Sequence, residues 1–141
     1  MDSLAFTGAT YCKSHAALAA GTTTTFSTTG ATLYDIKGKS FTTSAAANAA
    51  TPTTDSNTGA AFKAVGLSKG SVFVFCYDGS STTAATAIKV VQGSIADLTT
   101  EADGANASFV NALPQFPAIP DTLCPFGYAV VKIGASGTAF T

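Results

Sequence analysis

The sequence is poor in charged residues and lacks two residue types altogether. Its 141 residues contain no tryptophan and no arginine, and only 11% are charged, with seven lysines, eight acids and a net charge of −1. Soluble domains usually carry about 25% charged residues. Because the lysines are scattered and no arginine can make bidentate phosphate contacts, we expect no nucleic-acid partner. Thr, Ser and Ala must dominate the surface, which suits close contact with another protein.

Long apolar runs are also missing. No window approaches the ~18 consecutive apolar residues of a membrane-spanning helix, so we expect no membrane partner. The opening MDSLAFTGAT has an acid at position 2 and no basic segment before an apolar one. It therefore does not resemble a secretory signal, and we expect synthesis in a cytoplasm.

The residues that usually carry catalysis or bind metals are scarce. Cys12 and His15 have the C-x-x-H spacing of two zinc ligands, but no second close pair accompanies them. Ser14 precedes the single histidine without any recognisable nucleophile motif, and no phosphate-binding glycine loop occurs. Most acids stand beside turn glycines or in polar loops. We therefore predict no enzyme activity, no metal and no cofactor.

Three cysteines are present, at Cys12, Cys76 and Cys124. Their odd number and wide spacing favour free buried thiols over a disulfide framework. A single pair among them is the alternative.

The sequence does contain many segments that are typical of β-strands. Helix-forming periodicity is nearly absent, whereas β-branched threonine is abundant. Lys37-Gly38 separates the segments ATLYDI and KSFTTS, and glycine in the second loop position predicts a tight hairpin. Other strands are predicted at 22–26, 61–65, 71–77, 88–91 and 128–134.

The strongest predicted strand is SVFVFCY, at residues 71–77. Both of its faces are apolar, because Val72, Val74 and Cys76 alternate with Phe73, Phe75 and Tyr77. One face can pack in a core. The aromatic face then needs a second cover from a loop, a neighbouring subunit or another protein.

Two segments do not read as strands. Residues 45–59 carry several turn residues and no apolar pattern, and a loop of that length usually has a function. In PQFPAIPDTLCPFGYAVVKIG, prolines recur at Pro114, Pro117 and Pro120. With three residues per turn, a polyproline helix would place them on one edge and Phe116 and Ile119 on another, as a stiff strut about 20 Å long. Such a strut must lie on a sheet or on a partner.

These patterns predict one all-β domain over residues 1–141, in which 1–20 form an extended N-terminal arm. The architecture that we expect is a small β-sandwich or partly closed barrel of six to eight strands, with long loops and a polyproline-like segment.

Three stretches resemble small virion structural proteins of tailed bacteriophages that are encoded among head genes. They are LYDIKGKSFTT, TPTTDSNTGAAFKAVGLSKGSVFVF and the proline segment, and together they span roughly residues 33 to 134. The resemblance implies a non-enzymatic head decoration or cement protein, or the base of a head fibre. Its partner would be the major capsid protein, its location the capsid surface, and its state a homo-oligomer such as a trimer.

Candidate contact residues come from the N-terminal segment, the 45–59 loop, the aromatic strand face and the strut. They are Leu4, Phe6, Tyr11, Pro52, Thr54, Asn57, Phe73, Phe75, Pro114, Phe116, Pro117, Ile119 and Pro120. We expect the first two segments to be ordered only on the particle.

The alternative function is a tail or fibre adhesion module that binds a host surface glycan. It would need exposed aromatic and polar groups that converge in a groove. The tyrosines available for this are Tyr11, Tyr34, Tyr77 and Tyr128.

Overall fold

The computed structural model describes residues 8–14 and 16–140. It confirms the all-β prediction, with 43% of residues in strands, 5% in helices and three small antiparallel sheets. The described residues form no closed barrel. No helix in this part of the chain has the length and apolarity to cross a membrane.

The strands and helices are, in chain order, β1 Tyr11–Cys12, β2 Leu18–Ala20, β3 Thr25–Thr28, β4 Thr32–Ile36, β5 Lys39–Thr43, β6 Ala49–Ala50, β7 Lys69–Tyr77, α1 Ala84–Ala87, β8 Ile88–Asp97, a 3₁₀ turn at Gly104–Asn106, and β9 Cys124–Ile133. The sheets have the orders β1-β4-β5, β2-β3-β6 and β8-β7-β9.

The chain forms two compact units. Unit 1 comprises the described part of Met1–Pro52 together with Phe75–Val90 and Ile119–Gly127. Unit 2 comprises Thr53–Val74, Val91–Ala118 and the described part of Tyr128–Thr141. The three strands of the third sheet each contribute residues to both.

Unit 1 contains the first two sheets, and the predicted hairpin is confirmed there. Strand β4 pairs with β5 in the register Ile36↔Lys39. Between them Lys37 and Gly38 adopt φ values of 49° and 80°, which the tight hairpin turn requires at both positions. Strands β1 and β2 pair with β4 and β3. Residues that we had expected in an N-terminal arm are thus strands of this unit.

The core of unit 1 is aromatic. Tyr34 and Tyr77 are fully buried and stack with ring centroids 5.6 Å apart. Phe126 stacks on Tyr77 at 4.2 Å. The hydroxyls of Thr32 and Thr43 lie beside that of Tyr77 and oppose the rise in its pKa that burial causes. Even so, none of these three hydroxyls makes a hydrogen bond of acceptable geometry within the described residues.

Unit 2 contains the second part of the long loop, residues 53–59, and gives it a defined turn. Thr54 and Ala61 form an isolated β-bridge around a turn in which the Gly59 amide donates to the Asp55 carbonyl. Strand β6 lies earlier in the same loop, in unit 1. The strand predicted at 61–65 is reduced to bridges at its two ends.

Candidate protein-contact surface

In unit 2 the proline segment lies beside β8. The Val110 amide donates to the Asp97 carbonyl at 3.1 Å, and five residues later Gln115 and Ser94 exchange two hydrogen bonds. In that exchange the Gln115 amide donates to Ser94 Oγ at 2.6 Å, and the Ser94 amide donates to the Gln115 carbonyl at 3.1 Å. Residues 110–115 therefore follow this strand through backbone contacts.

Gly93 permits this close approach. A Cβ atom at that position would collide with the carbonyl oxygen of Gln115 and with Cγ1 of Val72. A glycine inside a strand often marks the point where another backbone comes close.

The strut is held chiefly by its main chain. Residues 112–120 belong to no strand or helix, and Asn57 Nδ2 donates to the Ala118 carbonyl at 2.8 Å. Pro114 and Pro117 are half-buried. The expectation that apolar side chains anchor the strut is met only in part, because Phe116 is 60% exposed.

Phe116 nevertheless has one aromatic neighbour in unit 2. Its ring meets that of Tyr128 edge-on, with centroids 5.1 Å apart and planes at 83°. Tyr128 is itself 59% exposed, and Val130, on the same face of β9 by strand alternation, is 45% exposed. We call these three residues the Phe116–Tyr128 surface.

The three residues of this surface are uncharged. Lys132 is the next residue on that face of β9, but its Nζ donates to the Ala107 carbonyl at 2.8 Å and lies 5.6 Å from the centroid of the Phe109 ring. Lys69, in β7, is paired with Asp97. A partner of the Phe116–Tyr128 surface would therefore meet aromatic and aliphatic groups.

Unit 1 has a different exposed face on the sheet β1-β4-β5. Tyr11 lies directly opposite Asp35 in the strand register, and Leu33 is on the same side of β4 as Asp35. Tyr11 and Leu33 are about half exposed. Lys13 Nζ contacts Asp35 Oδ1 at 2.8 Å, and Ser40 Oγ donates to the same oxygen at 2.7 Å.

These contacts act on the ionisation of the pair. The hydrogen bond from Lys13, followed by that from Ser40, lowers the pKa of Asp35. The same ion pair raises the pKa of Lys13. Both groups are consequently charged over the whole physiological pH range.

Two predicted contact residues are buried instead, which corrects the interpretation of β7. Phe73 is 4% exposed and Phe75 is 7% exposed. Each is covered by two phenylalanine rings of its own unit at centroid distances of 5.2 to 6.4 Å: Phe62 and Phe140 for Phe73, and Phe26 and Phe126 for Phe75. The aromatic face therefore needs no cover from another protein.

The other candidates are dispersed. Leu4 and Phe6 lie outside the described residues. Thr54, Asn57 and Pro120 are exposed, whereas Pro52 and Ile119 are half-buried. Only Asn57 is brought to the strut, through its bond to Ala118. Val130 was not named from the sequence, and Tyr128 was named only for glycan binding, because a strand as apolar as YAVVKI is typical of a core.

The cysteines offer no reactive centre. Cys12, Cys76 and Cys124 are all free, in agreement with the prediction of unpaired thiols. Burial raises the pKa of both Cys76 and Cys124 to about 12, so neither is a thiolate at neutral pH. No group of three potential metal ligands occurs among the described residues. His15 lies outside the residues that the structure describes.

Comparison with protein-family models, curated proteins and solved structures gave no match for this chain.

Proposed function

We propose that this chain is a non-enzymatic structural protein of a tailed-bacteriophage particle. It would be made in the host cytoplasm and would bind the major capsid protein on the head surface, as a decoration or cement protein that stabilises the assembled capsid. The sequence resemblance over residues 33 to 134 supports a place in a bacteriophage particle. The observation that supports a binding role most directly is the uncharged Phe116–Tyr128 surface.

The chemistry of this surface suits protein contact. Aromatic side chains are enriched at the centres of protein interfaces, while charged residues are depleted there. Exposed rings already held against one another lose little conformational freedom on binding, since Phe116 and Tyr128 are in contact before a partner arrives. Attachment through such groups would depend little on ionic strength.

The test uses particles and not the isolated chain. We expect mass spectrometry of purified virions to detect the protein, and a density map to place it on the head. Heads assembled without it should rupture at lower temperature than complete heads. Its absence from purified particles would refute the proposal.

A second candidate is glycan binding by the outer face of the sheet β1-β4-β5. The observation that favours it is the half-exposed Tyr11 ring, whose strand partner Asp35 is itself buried and bound by Lys13 and Ser40. Tyr34 and Tyr77 are buried in the core and cannot contribute. Binding to a glycan array that is lost in Tyr11→Ala and retained in Tyr128→Ala would support this function. A blank array at high protein concentration would contradict it.

A further inference from the structure

Strand β9 lies at the end of its sheet. In the order β8-β7-β9 it has a hydrogen-bonded neighbour on one side only. Among the described residues, no backbone group from Tyr128 to Ile133 hydrogen-bonds to backbone outside the sheet. Gly104 packs against the Lys132 carbonyl and the Gly134 amide, so the open stretch of edge in unit 2 is Tyr128 to Val131.

This edge has few of the features that usually discourage pairing. Edge strands are commonly protected by prolines, by bulges or by free charges, lysine above all. Residues 128–131 are Tyr-Ala-Val-Val, and the charged amine of the following Lys132 is held at the Ala107 carbonyl and beside the Phe109 ring. Its exposed face continues into Phe116, which contacts Tyr128.

We infer that the occupant of this edge is a second copy of the chain, paired antiparallel through β9 about a two-fold axis. Such a dimer would specify the homo-oligomer expected for a capsid-bound protein, and only its place on the particle rests on the proposed function. A two-fold axis makes the contact isologous, so that each copy offers the same strand edge and the same Phe116–Tyr128 surface. Two-fold pairing replaces the expected trimer with a dimer as the basic unit.

The chemistry of the edge selects this occupant. Unpaired backbone groups in an extended strand are matched by another extended strand, and side chains at alternate positions then meet across the pair. Strand β9 has such an edge and an apolar face beside it, so a second copy of the chain meets both requirements. Of the two nearest amines, that of Lys69 is paired with Asp97, while that of Lys132 keeps its positive charge and donates to the Ala107 carbonyl.

The available area indicates a reversible dimer. An aromatic side chain presents roughly 150–250 Å² when fully accessible, so Tyr128 at 59% leaves about 100–150 Å². Phe116 comes from the side of β8 and stays outside the paired edge. With Val130 and the strand backbone, two copies would bury roughly several hundred Å² in total, the size of a weak, transient interface. We expect a dissociation constant on the order of 100 µM.

The experiment is sedimentation equilibrium on the full chain over about 1 to 500 µM. We expect a concentration-dependent dimer whose dissociation constant changes less than about threefold between roughly 0.05 and 0.5 M salt. Tyr128→Lys and Val130→Lys should each weaken it at least about tenfold. Leu33→Lys is the matched control, because Leu33 is equally apolar and 51% exposed but lies in β4 of unit 1.

Hydrogen exchange on the unmodified protein provides a second measurement that needs no variant. The amides of residues 128–131 should exchange more slowly at high than at low protein concentration. A monomer at every concentration would overturn the inference, as would a dimer that leaves these amides unchanged or responds equally to Leu33→Lys. Either result leaves detection of the protein in virions untouched, so the two proposals fail independently.

Discussion

Adding one methyl group at Gly93 tests whether the proline segment really lies against β8. In Gly93→Ala the new Cβ would overlap the Gln115 carbonyl oxygen and Val72 Cγ1, and would lie 3.3 Å from the Gln115 carbonyl carbon. The valine can change rotamer, but the carbonyl belongs to a backbone that is fixed by two hydrogen bonds to Ser94. Relief therefore requires the segment to move and those bonds to stretch.

The expected cost follows from two opposing terms. Overpacking of this kind destabilises by about 1–3 kcal/mol. Replacing glycine with alanine also lowers the entropy of the unfolded chain, which stabilises the fold by about 0.4–1 kcal/mol. The net loss should be roughly 1–2 kcal/mol, which corresponds to a fall in Tm of about 3–8 °C for a chain of this size.

Thermal unfolding followed by circular dichroism measures this loss. Gly66→Ala is the control, because Gly66 is also in unit 2 and a Cβ there would have no atom within 4 Å. Its Tm should stay level or rise. If Gly93→Ala melts at or above the wild-type temperature, or if the Gln115 amide exchanges with solvent no faster than before, the segment does not lie where we place it.

Three further predictions follow from the core and the ion pair. At pH 8 a thiol-specific reagent should modify Cys76 and Cys124 in the unfolded protein but hardly at all in the folded one, because a pKa of about 12 leaves only about one thiolate in ten thousand; rapid labelling of Cys76 or Cys124 under native conditions would contradict their burial. Thr43→Val removes a buried hydroxyl that has no hydrogen-bond partner, so the free energy of unfolding should stay level or rise by up to about 1 kcal/mol in denaturant titrations, and a loss above about 1 kcal/mol would reveal a real bond. The lowered pKa of Asp35 means that its ionised form stabilises the folded state above its unfolded pKa of about 3.9, and that this contribution disappears as pH falls through the lower folded value. Asp35→Asn should therefore reduce stability at pH 7 and flatten the decline in acid, and an unchanged acid profile would count against the Lys13 pairing.

The sequence predicted the local hairpin turn, but it did not predict which distant residues bury the aromatic face of β7. The hairpin at Lys37-Gly38 could be predicted because a glycine between two strand-like segments specifies a turn through its immediate neighbours alone. The aromatic face of β7 was also recognised as needing cover. Its cover comes from residues as distant as Phe26 and Phe140, and no periodicity specifies such a pairing.

The candidate surface shows the same division. Phe116 was identified because the spacing of prolines predicts which side chains a strut would present. Val130 was not named and Tyr128 was named only for glycan binding, because strand alternation tells which residues share a face but not which face is left open. Which face of β9 is exposed depends on where the strut lies, and the position of the strut depends on Gly93.

The strut is attached through main-chain atoms. Gln115 is held through its own amide and carbonyl, and Ala118 through its carbonyl, so the path of the segment does not depend on which side chains project from it. Phe116 can therefore be replaced without redirecting the chain. The segment behaves as a loop on a fixed scaffold, whose exposed side chains can vary while the sheet beneath stays unaltered.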